Sequence, residues 1–113
     1  MELFTKKGGR HSEQRVTITK AGQIGLNSSC LTKHFKNKEN VLLFYDKSKK
    51  KIGIKPVSQE EDNSFKVSYS QSRSAGAISG HSFLKICEID FSTTRKFFPQ
   101  WDNREGMLVV DLN

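Results

Sequence analysis

The chain has 113 residues, of which 35% are hydrophobic and 27% are charged. That length suits one domain (1–113) and is too short for two independent ones, and the composition is typical of a folded protein rather than a disordered one. No apolar run approaches the roughly 20 residues of a membrane-spanning helix, and the first residues lack a signal-peptide core. We therefore expect a cytoplasmic protein without a membrane partner.

The positive charge is concentrated in the first half of the chain. Residues 1–57 contain 13 Lys and Arg against 4 Asp and Glu, a net charge of +9, whereas residues 58–113 contain 6 against 8, a net charge of −2. Such a field attracts polyanions. Lysines also keep turns soluble and protect edge strands from aggregation, so the charge favours a nucleic-acid partner without excluding this simpler explanation.

The chain begins with a polar, glycine-rich arm, residues 8–10, which predicts no element. Residues 15–20 alternate apolar and polar side chains as a half-buried strand does. A turn at residues 21–22 then leads into a short strand at residues 24–26.

A short helix and a β-hairpin complete the first half. Any of residues 27–29 suits the amino-terminal cap of the helix. Residues 41–45 and 52–55 predict two strands joined by a lysine-rich turn, and Pro56 is expected to end the second strand. The first unit, residues 15–57, is thus β-β-α-β-β. The apolar side of its helix is predicted to consist of Cys30, Leu31, His34 and Phe35.

A similar order of elements is expected in the second half. Gly22-Gln23-Ile24 and Gly76-Ala77-Ile78 resemble each other and lie 54 residues apart, each after an alternating segment. An acidic connector, residues 58–64, separates the first unit from a second one at residues 65–112. We therefore predict a β-rich α+β fold in which two β-β-α-β-β pseudo-repeats share one core. In the second unit we expect strands at residues 65–69, 94–98 and 107–112, a helix from a Ser79 cap to Cys87 with Phe83 and Leu84 on its apolar face, a strand stop at Pro99, and Trp101 in a connection.

Cysteines and histidines form no catalytic or metal-binding motif in this sequence. Cys30 and Cys87 are expected to be reduced, buried thiols. Cys30 and His34 have a spacing that could place two metal ligands on one helix face, but no second pair at zinc-site spacing follows. The sequence also lacks a phosphate-binding glycine loop and a nucleophile elbow. We expect neither an enzyme nor a bound metal or cofactor.

The order of certain residues along the first half matches that of a known domain. These residues are Val16-Thr17-Ile18, Gly22, Ile24, Leu26, Leu31, Phe35, residues 41–46 and residues 52–56. In this order the first half resembles the swapped-hairpin domain of the AbrB and MraZ family of bacterial DNA-binding regulators, and the second half resembles it more faintly. The resemblance implies that two units interleave their hairpins into one swapped-hairpin or barrel-like body. It also implies that a basic face of the early strands binds DNA. Gln23 stands where the family usually has arginine, and Asn27 where it usually has proline.

The leading hypothesis is a small cytoplasmic DNA-binding protein of regulatory type, with duplex DNA as its partner and a homo-oligomer left open. Two alternatives remain. One is a single-strand nucleic-acid binder in which Phe44, Tyr45 or Tyr69 stacks on bases, and the other is a non-catalytic protein interaction module. The candidate nucleic-acid-binding residues are Arg10, Arg15, Lys20, Lys47, Lys49, Lys50 and Lys51.

Overall fold

A computed structural model describes residues 13–113 of the protein, and in that range eleven helices and strands follow one another. In chain order they are β1 (Val16–Ile18), β2 (Gln23–Leu26), α1 (Ser28–His34), β3 (Asn40–Asp46), β4 (Lys51–Val57), β5 (Phe65–Tyr69), β6 (Gly76–Ser79), α2 (His81–Ile86), β7 (Arg95–Phe97), β8 (Gln100–Asp102) and β9 (Met107–Asp111). The strands are antiparallel and form a curled half-barrel. The predicted β-rich α+β class is confirmed at this level.

Strands from the two halves of the chain alternate across the sheet. The strand order is β7-β1-β2-β6-β5-β3-β4-β9-β8, so four strand pairs join one half to the other. In two of these pairs, Ile24 lies opposite Ile78 and Gly53 lies opposite Val109. The other two pairs between the halves are β3 with β5 and β7 with β1. Four of the eight pairs of neighbouring strands therefore join one half of the chain to the other.

The hydrophobic core is one cluster of buried side chains that draws on both halves. Ile24 and Ile52 from the first half and Ile78 and Leu108 from the second are all buried almost completely. Burying an aliphatic side chain of this size contributes about 1.5–3 kcal/mol. Each half therefore supplies core residues that the other half covers.

The structure selects Asn27 from the three predicted caps of α1, and it buries three of the four side chains predicted on the apolar side, with His34 only half-buried. The Asn27 side-chain oxygen accepts a hydrogen bond from the Cys30 amide at 3.2 Å, which satisfies one of the free N–H groups at the helix start. Cys30, Leu31 and Phe35 are buried. The same Asn27 oxygen accepts from the Arg15 amide at 3.0 Å, so the cap also anchors the chain just before β1.

The structure corrects the prediction for α2 in two respects. Its amino-terminal cap is Gly80 rather than Ser79, and no side chain bonds to the free amides there. The fully buried residue of the helix is Leu84, whereas Phe83 and Cys87 are only half-buried. Phe83 instead lies at the margin of the core, where its ring meets Phe65 edge-on with centroids 6.5 Å apart.

Three predictions for the strands also need correction. Pro56 lies inside β4, in the part of that strand that β9 does not reach, where a residue without an N–H is tolerated. Trp101 lies in β8 rather than in a connection, and its ring stacks on His34 with centroids 4.0 Å apart. The segment 94–98 forms only the three-residue strand β7, and Pro99 follows it closely as predicted.

Candidate nucleic-acid interface

Four basic side chains flank or belong to the two strands at one edge of the sheet. β7 is the last strand on this side and pairs only with β1, so that Ile18 lies opposite Arg95. Arg15 directly precedes β1 and Lys20 follows it, while Lys96 is the central residue of β7. We call Arg15, Lys20, Arg95 and Lys96 the basic edge. Lys20, Arg95 and Lys96 are exposed, and Arg15 is partly exposed.

The backbone at both ends of β1 is fixed by side chains from other elements. The Asn27 cap holds the Arg15 amide, as described above. At the other end, the Lys20 amide donates to the hydroxyl of Thr94 at 3.3 Å, which brings Lys20 next to the start of β7. The basic edge is therefore built on anchored backbone rather than on a free loop.

Exposed lysines also occupy the turn between β3 and β4. The Asp46 carboxylate accepts from the Ser48 hydroxyl at 2.8 Å and from the Lys49 amide at 3.1 Å. Both hydrogen bonds lower the pKa of Asp46, and the bond from the Ser48 hydroxyl has the larger effect. Together they close the predicted turn. Lys47, Lys49 and Lys50, which we call the lysine turn, are all exposed.

Leu112 connects the lysine turn to the basic edge. Its amide donates to the Lys50 carbonyl oxygen at 2.9 Å, and its own carbonyl oxygen accepts from the Arg95 guanidinium at 3.1 Å. The side-chain amide of Asn113 adds a bond to the Lys49 carbonyl oxygen at 3.0 Å. Arg95 of the basic edge is thus joined through Leu112 to the backbone of the lysine turn, from which it is distant in sequence.

Two acidic side chains pair with these cations, both weakly. Glu13 lies 3.9 Å from Arg15, and Glu88 lies 3.6 Å from Lys47. The Lys47 and Glu88 side chains are 81% and 77% exposed, and ion pairs of this kind contribute little because water and salt screen them. A polyanion could displace either carboxylate at small cost.

Asp90 and Asp111 also lie beside these cations, and both have lowered pKa values. The main cause at Asp90 is a hydrogen bond from the Ser92 amide, and Arg95 adds a smaller effect. At Asp111 the main cause is a hydrogen bond from the Asn113 amide, and Lys51 adds a smaller effect. Both carboxylates are therefore ionised at neutral pH and reduce the positive potential around them.

The structure places the predicted site residues in two groups. Arg15 and Lys20 belong to the basic edge, and Lys47, Lys49 and Lys50 form the lysine turn. Lys51 was predicted in the turn but is the first residue of β4, directly opposite Asp111, and is only half-exposed. Arg10 lies outside the described residues.

Sequence reasoning missed Arg95 and Lys96, because both lie in the half of the chain whose net charge is negative. Their position on β7 is decided by pairing with β1, whose residues lie about 80 positions earlier. A strand was predicted at residues 94–98, ended by Pro99, but not the strand that it pairs with.

The three aromatic side chains proposed as stacking platforms differ in accessibility. Phe44 is 44% exposed. Tyr45 packs partly against the core. One face of the Tyr69 ring is covered by the Arg73 guanidinium, 3.9 Å from the ring centroid, and its hydroxyl donates to the Lys38 carbonyl oxygen. Only Phe44 among them offers an open ring.

A polar cleft of about 560 Å³ lies between the end of α1 and the loop after β5. Arg73 pairs with Glu39 there at 2.9 Å, beside Tyr69 and Lys36. Glu39 is hydrogen-bonded to Arg73, whereas Glu13 and Glu88 lie 3.9 Å and 3.6 Å from their cations, so Arg73 is less available to an anion than the basic edge is.

The Cys30–His34 pair is not arranged as a metal site. The Cys30 thiol is buried and donates to the Arg15 carbonyl oxygen at 3.5 Å, while the His34 ring packs on Trp101. Burial raises the pKa of Cys30, and burial, with a smaller effect of Lys33, lowers that of His34. Within residues 13–113, no group of three or more His, Cys, Asp and Glu side chains could hold a metal ion.

In comparisons with known proteins, no family model, no curated protein and no solved structure matches this chain. Similarity to the AbrB and MraZ family therefore stays a prediction, as do the cytoplasmic location, the absence of catalysis and a homo-oligomer. No helix in the described part of the chain is long and apolar enough to cross a membrane.

Proposed function

We propose that this protein binds DNA through the basic edge and the lysine turn, whose lysine and arginine side chains contact phosphates. The observation that carries this proposal is the double hydrogen bonding of Leu112, which places Arg95 beside the backbone of Lys50. Arginine and lysine side chains on anchored backbone are suited to phosphate oxygens. Weak ion pairs with Glu13 and Glu88 leave these cations available.

We further propose that the body of the protein is a swapped-hairpin pair of repeats. If a two-fold axis relates the two repeats, equivalent residues of the repeats must face each other where that axis passes through the sheet. The strand register supports the proposal because it meets this condition. Ile24 faces Ile78, and Ile54 faces Leu108, and the residues of both pairs lie 54 positions apart in the sequence. In the same relation, β3 of the first unit pairs with β5 and β7 of the second pairs with β1. One chain then supplies both units of the body that the AbrB and MraZ resemblance implies.

Binding of this kind is expected to depend on phosphates more than on base sequence. Five of the seven side chains in the basic edge and the lysine turn are lysines, and Gln23 stands where the family usually has arginine. Lysines read the backbone as point charges and carry little sequence information. We therefore expect similar affinity for unrelated sequences and a steep dependence on salt.

The test is a fluorescence anisotropy titration of the full chain with labelled duplex DNA over a series of salt concentrations. The logarithm of affinity should fall with the logarithm of salt, with a slope of about −0.9 per phosphate neutralised. The double variant Lys49→Gln/Lys50→Gln should weaken binding to all sequences alike and make the slope shallower.

The matched control is Lys36→Gln/Lys38→Gln, which removes the same charge from the segment after α1, away from the lysine turn. It should weaken binding far less. A titration without any complex at low salt, with duplex or single-stranded DNA, contradicts the proposal, as does equal weakening by the two double variants.

A second candidate function, a protein interaction module, is favoured by an apolar patch on the outer face of the sheet. Phe44, Met107 and Val109 line a depression of about 230 Å³ around Gly53. Exposed apolar patches of monomers often mark interaction sites. If the titration shows no DNA complex, this function becomes the leading one.

A further inference from the structure

Phe98 is a large aromatic side chain that the fold keeps in solvent. It is 63% exposed, although it follows β7 directly. Its backbone is held on both sides, because Phe97 pairs with Val16 and Pro99 is buried. The exposure of the ring is thus a property of ordered sheet structure rather than of a loose loop.

The surroundings of Phe98 are cationic. The Arg15 guanidinium lies 6.0 Å from the centroid of the Phe98 ring. Lys96, two residues before Phe98, is exposed and lies opposite Thr17. The exposed ring therefore has one cation of the basic edge over it and a second one two residues away in the sequence.

Single exposed apolar residues are common on protein surfaces and need no explanation by themselves. The described residues include two other large exposed ones, Phe44 and Ile86. Phe44 belongs to the apolar patch around Gly53, and Ile86 is aliphatic and cannot stack as a ring does. Phe98 differs from both because its ring lies beside the guanidinium of Arg15.

Resting on the proposed function, we propose that Phe98 and Arg15 form a base-stacking site that takes one unpaired nucleobase. The base lies on the Phe98 ring, and Arg15 and Lys96 hold the phosphates on either side of it. Rings beside a positively charged track are a common means of binding single strands, since every base has a face that can stack. In a duplex the base faces are already stacked, so the site favours single-stranded over double-stranded DNA.

The experiment compares a labelled oligothymidine with a duplex of equal length, at one salt concentration, for the wild-type chain and four variants. Phe98→Ala should weaken single-strand binding about tenfold or more, as expected for one lost base stack, and change duplex binding little. Phe98→Tyr should retain single-strand affinity because it keeps the ring. Phe44→Ala, which removes an exposed ring elsewhere, should leave both affinities unchanged, and Arg15→Gln should weaken both.

A second readout locates the contact directly. An oligonucleotide carrying 5-iodouracil is irradiated in the complex, and the cross-linked peptide is identified by mass spectrometry. Cross-linking to Phe98 supports the inference. Cross-linking confined to other residues contradicts it.

The titration separates failure of this inference from failure of the proposed function. If the wild type binds DNA but Phe98→Ala binds single strands equally well, or loses single-strand and duplex affinity alike, the stacking site is wrong and phosphate binding stands. If the wild type binds neither form, the proposed function fails and the stacking site with it. Unchanged urea-denaturation midpoints show that the variants are folded.

Discussion

A Cβ atom on Gly80 would lie 2.8 Å from Cδ1 of Ile24, a distance that real Cβ atoms do not tolerate. The start of α2 is therefore pressed against β2, which comes from the other half of the chain. This contact explains why α2 has no side-chain cap. Any capping residue has a Cβ, and that atom would displace a fully buried core side chain.

We expect Gly80→Ala to destabilise the protein by about 1–3 kcal/mol, the usual cost of overpacking. Alanine is also a poorer amino-terminal cap than glycine, so both effects act in the same direction. Gly25→Ala is the matched control, because its Cβ would meet the Thr17 carbonyl oxygen at an ordinary 3.6 Å. Urea denaturation measures both, and a Gly80→Ala protein as stable as Gly25→Ala would contradict the close contact.

We expect Leu84, rather than Phe83, to contribute most of the stability that α2 gains by packing on the core. Leu84→Ala is expected to cost about 2–5 kcal/mol, because it leaves a cavity in the core. The half-buried Phe83 should cost less when replaced by alanine, despite its larger ring. Ile86→Ala, at a side chain that is 81% exposed, serves as the control and should change the denaturation midpoint little. A larger loss for Phe83→Ala than for Leu84→Ala would reverse the assignment.

Glu88 ends α2 in a left-handed conformation with φ of 58°. The Glu88 amide bonds to the Lys85 carbonyl oxygen, and the Ile89 amide to that of Leu84 at 2.9 Å, a Schellman motif in which glycine is preferred. We expect Glu88→Gly to stabilise the protein by about 1 kcal/mol, because glycine adopts this conformation without strain.

Glu88→Gln is the control for the same position, since it removes the charge and keeps the side chain. It should leave thermal stability nearly unchanged, because the ion pair with Lys47 is exposed. Both variants should bind DNA more tightly than the wild type by a similar factor. A melting temperature of Glu88→Gly no higher than that of Glu88→Gln would contradict the strain argument.

The two thiols should react at different rates. Burial raises the pKa of Cys30 and of Cys87 above the usual 9.0, but Cys30 is fully buried and Cys87 half-exposed. Only the thiolate reacts, so alkylation by iodoacetamide should be slow at pH 8 and rise as the pH passes 9. Mass spectrometry should show Cys87 labelled first, with Cys30 labelled only on unfolding.

The raised pKa values also predict a dependence of stability on pH. The folded state holds the thiol protons more tightly than the unfolded state, so their contribution to stability is complete below the unfolded pKa and falls as the pH rises above it. A Cys30→Ala/Cys87→Ala protein should lose less stability than the wild type between pH 8 and pH 10. Equal losses would show that the thiols do not titrate differently on folding.

Local patterns in the chain were enough to predict several elements. Alternation of polarity located β5 at residues 65–69, and Asp46 with its lysines indicated the turn that the structure contains. Asn27 was one of three residues predicted as the cap of α1, for the same kind of reason. These features depend on interactions among residues close in sequence, such as a carboxylate bonding to an amide three positions later.

The helix cap at Gly80 and the composition of the basic edge could not be predicted in this way. A side chain at position 80 would collide with Ile24, which explains the glycine there. Arg95 lies near Lys20 because β7 pairs with β1, and near the backbone of Lys50 because Leu112 bonds to both residues. Strand pairing between distant segments depends on the burial of a shared core, which no local window of sequence contains. Composition and periodicity thus specified the class of fold and the sign of its charge, while long-range packing placed the charges beside one another.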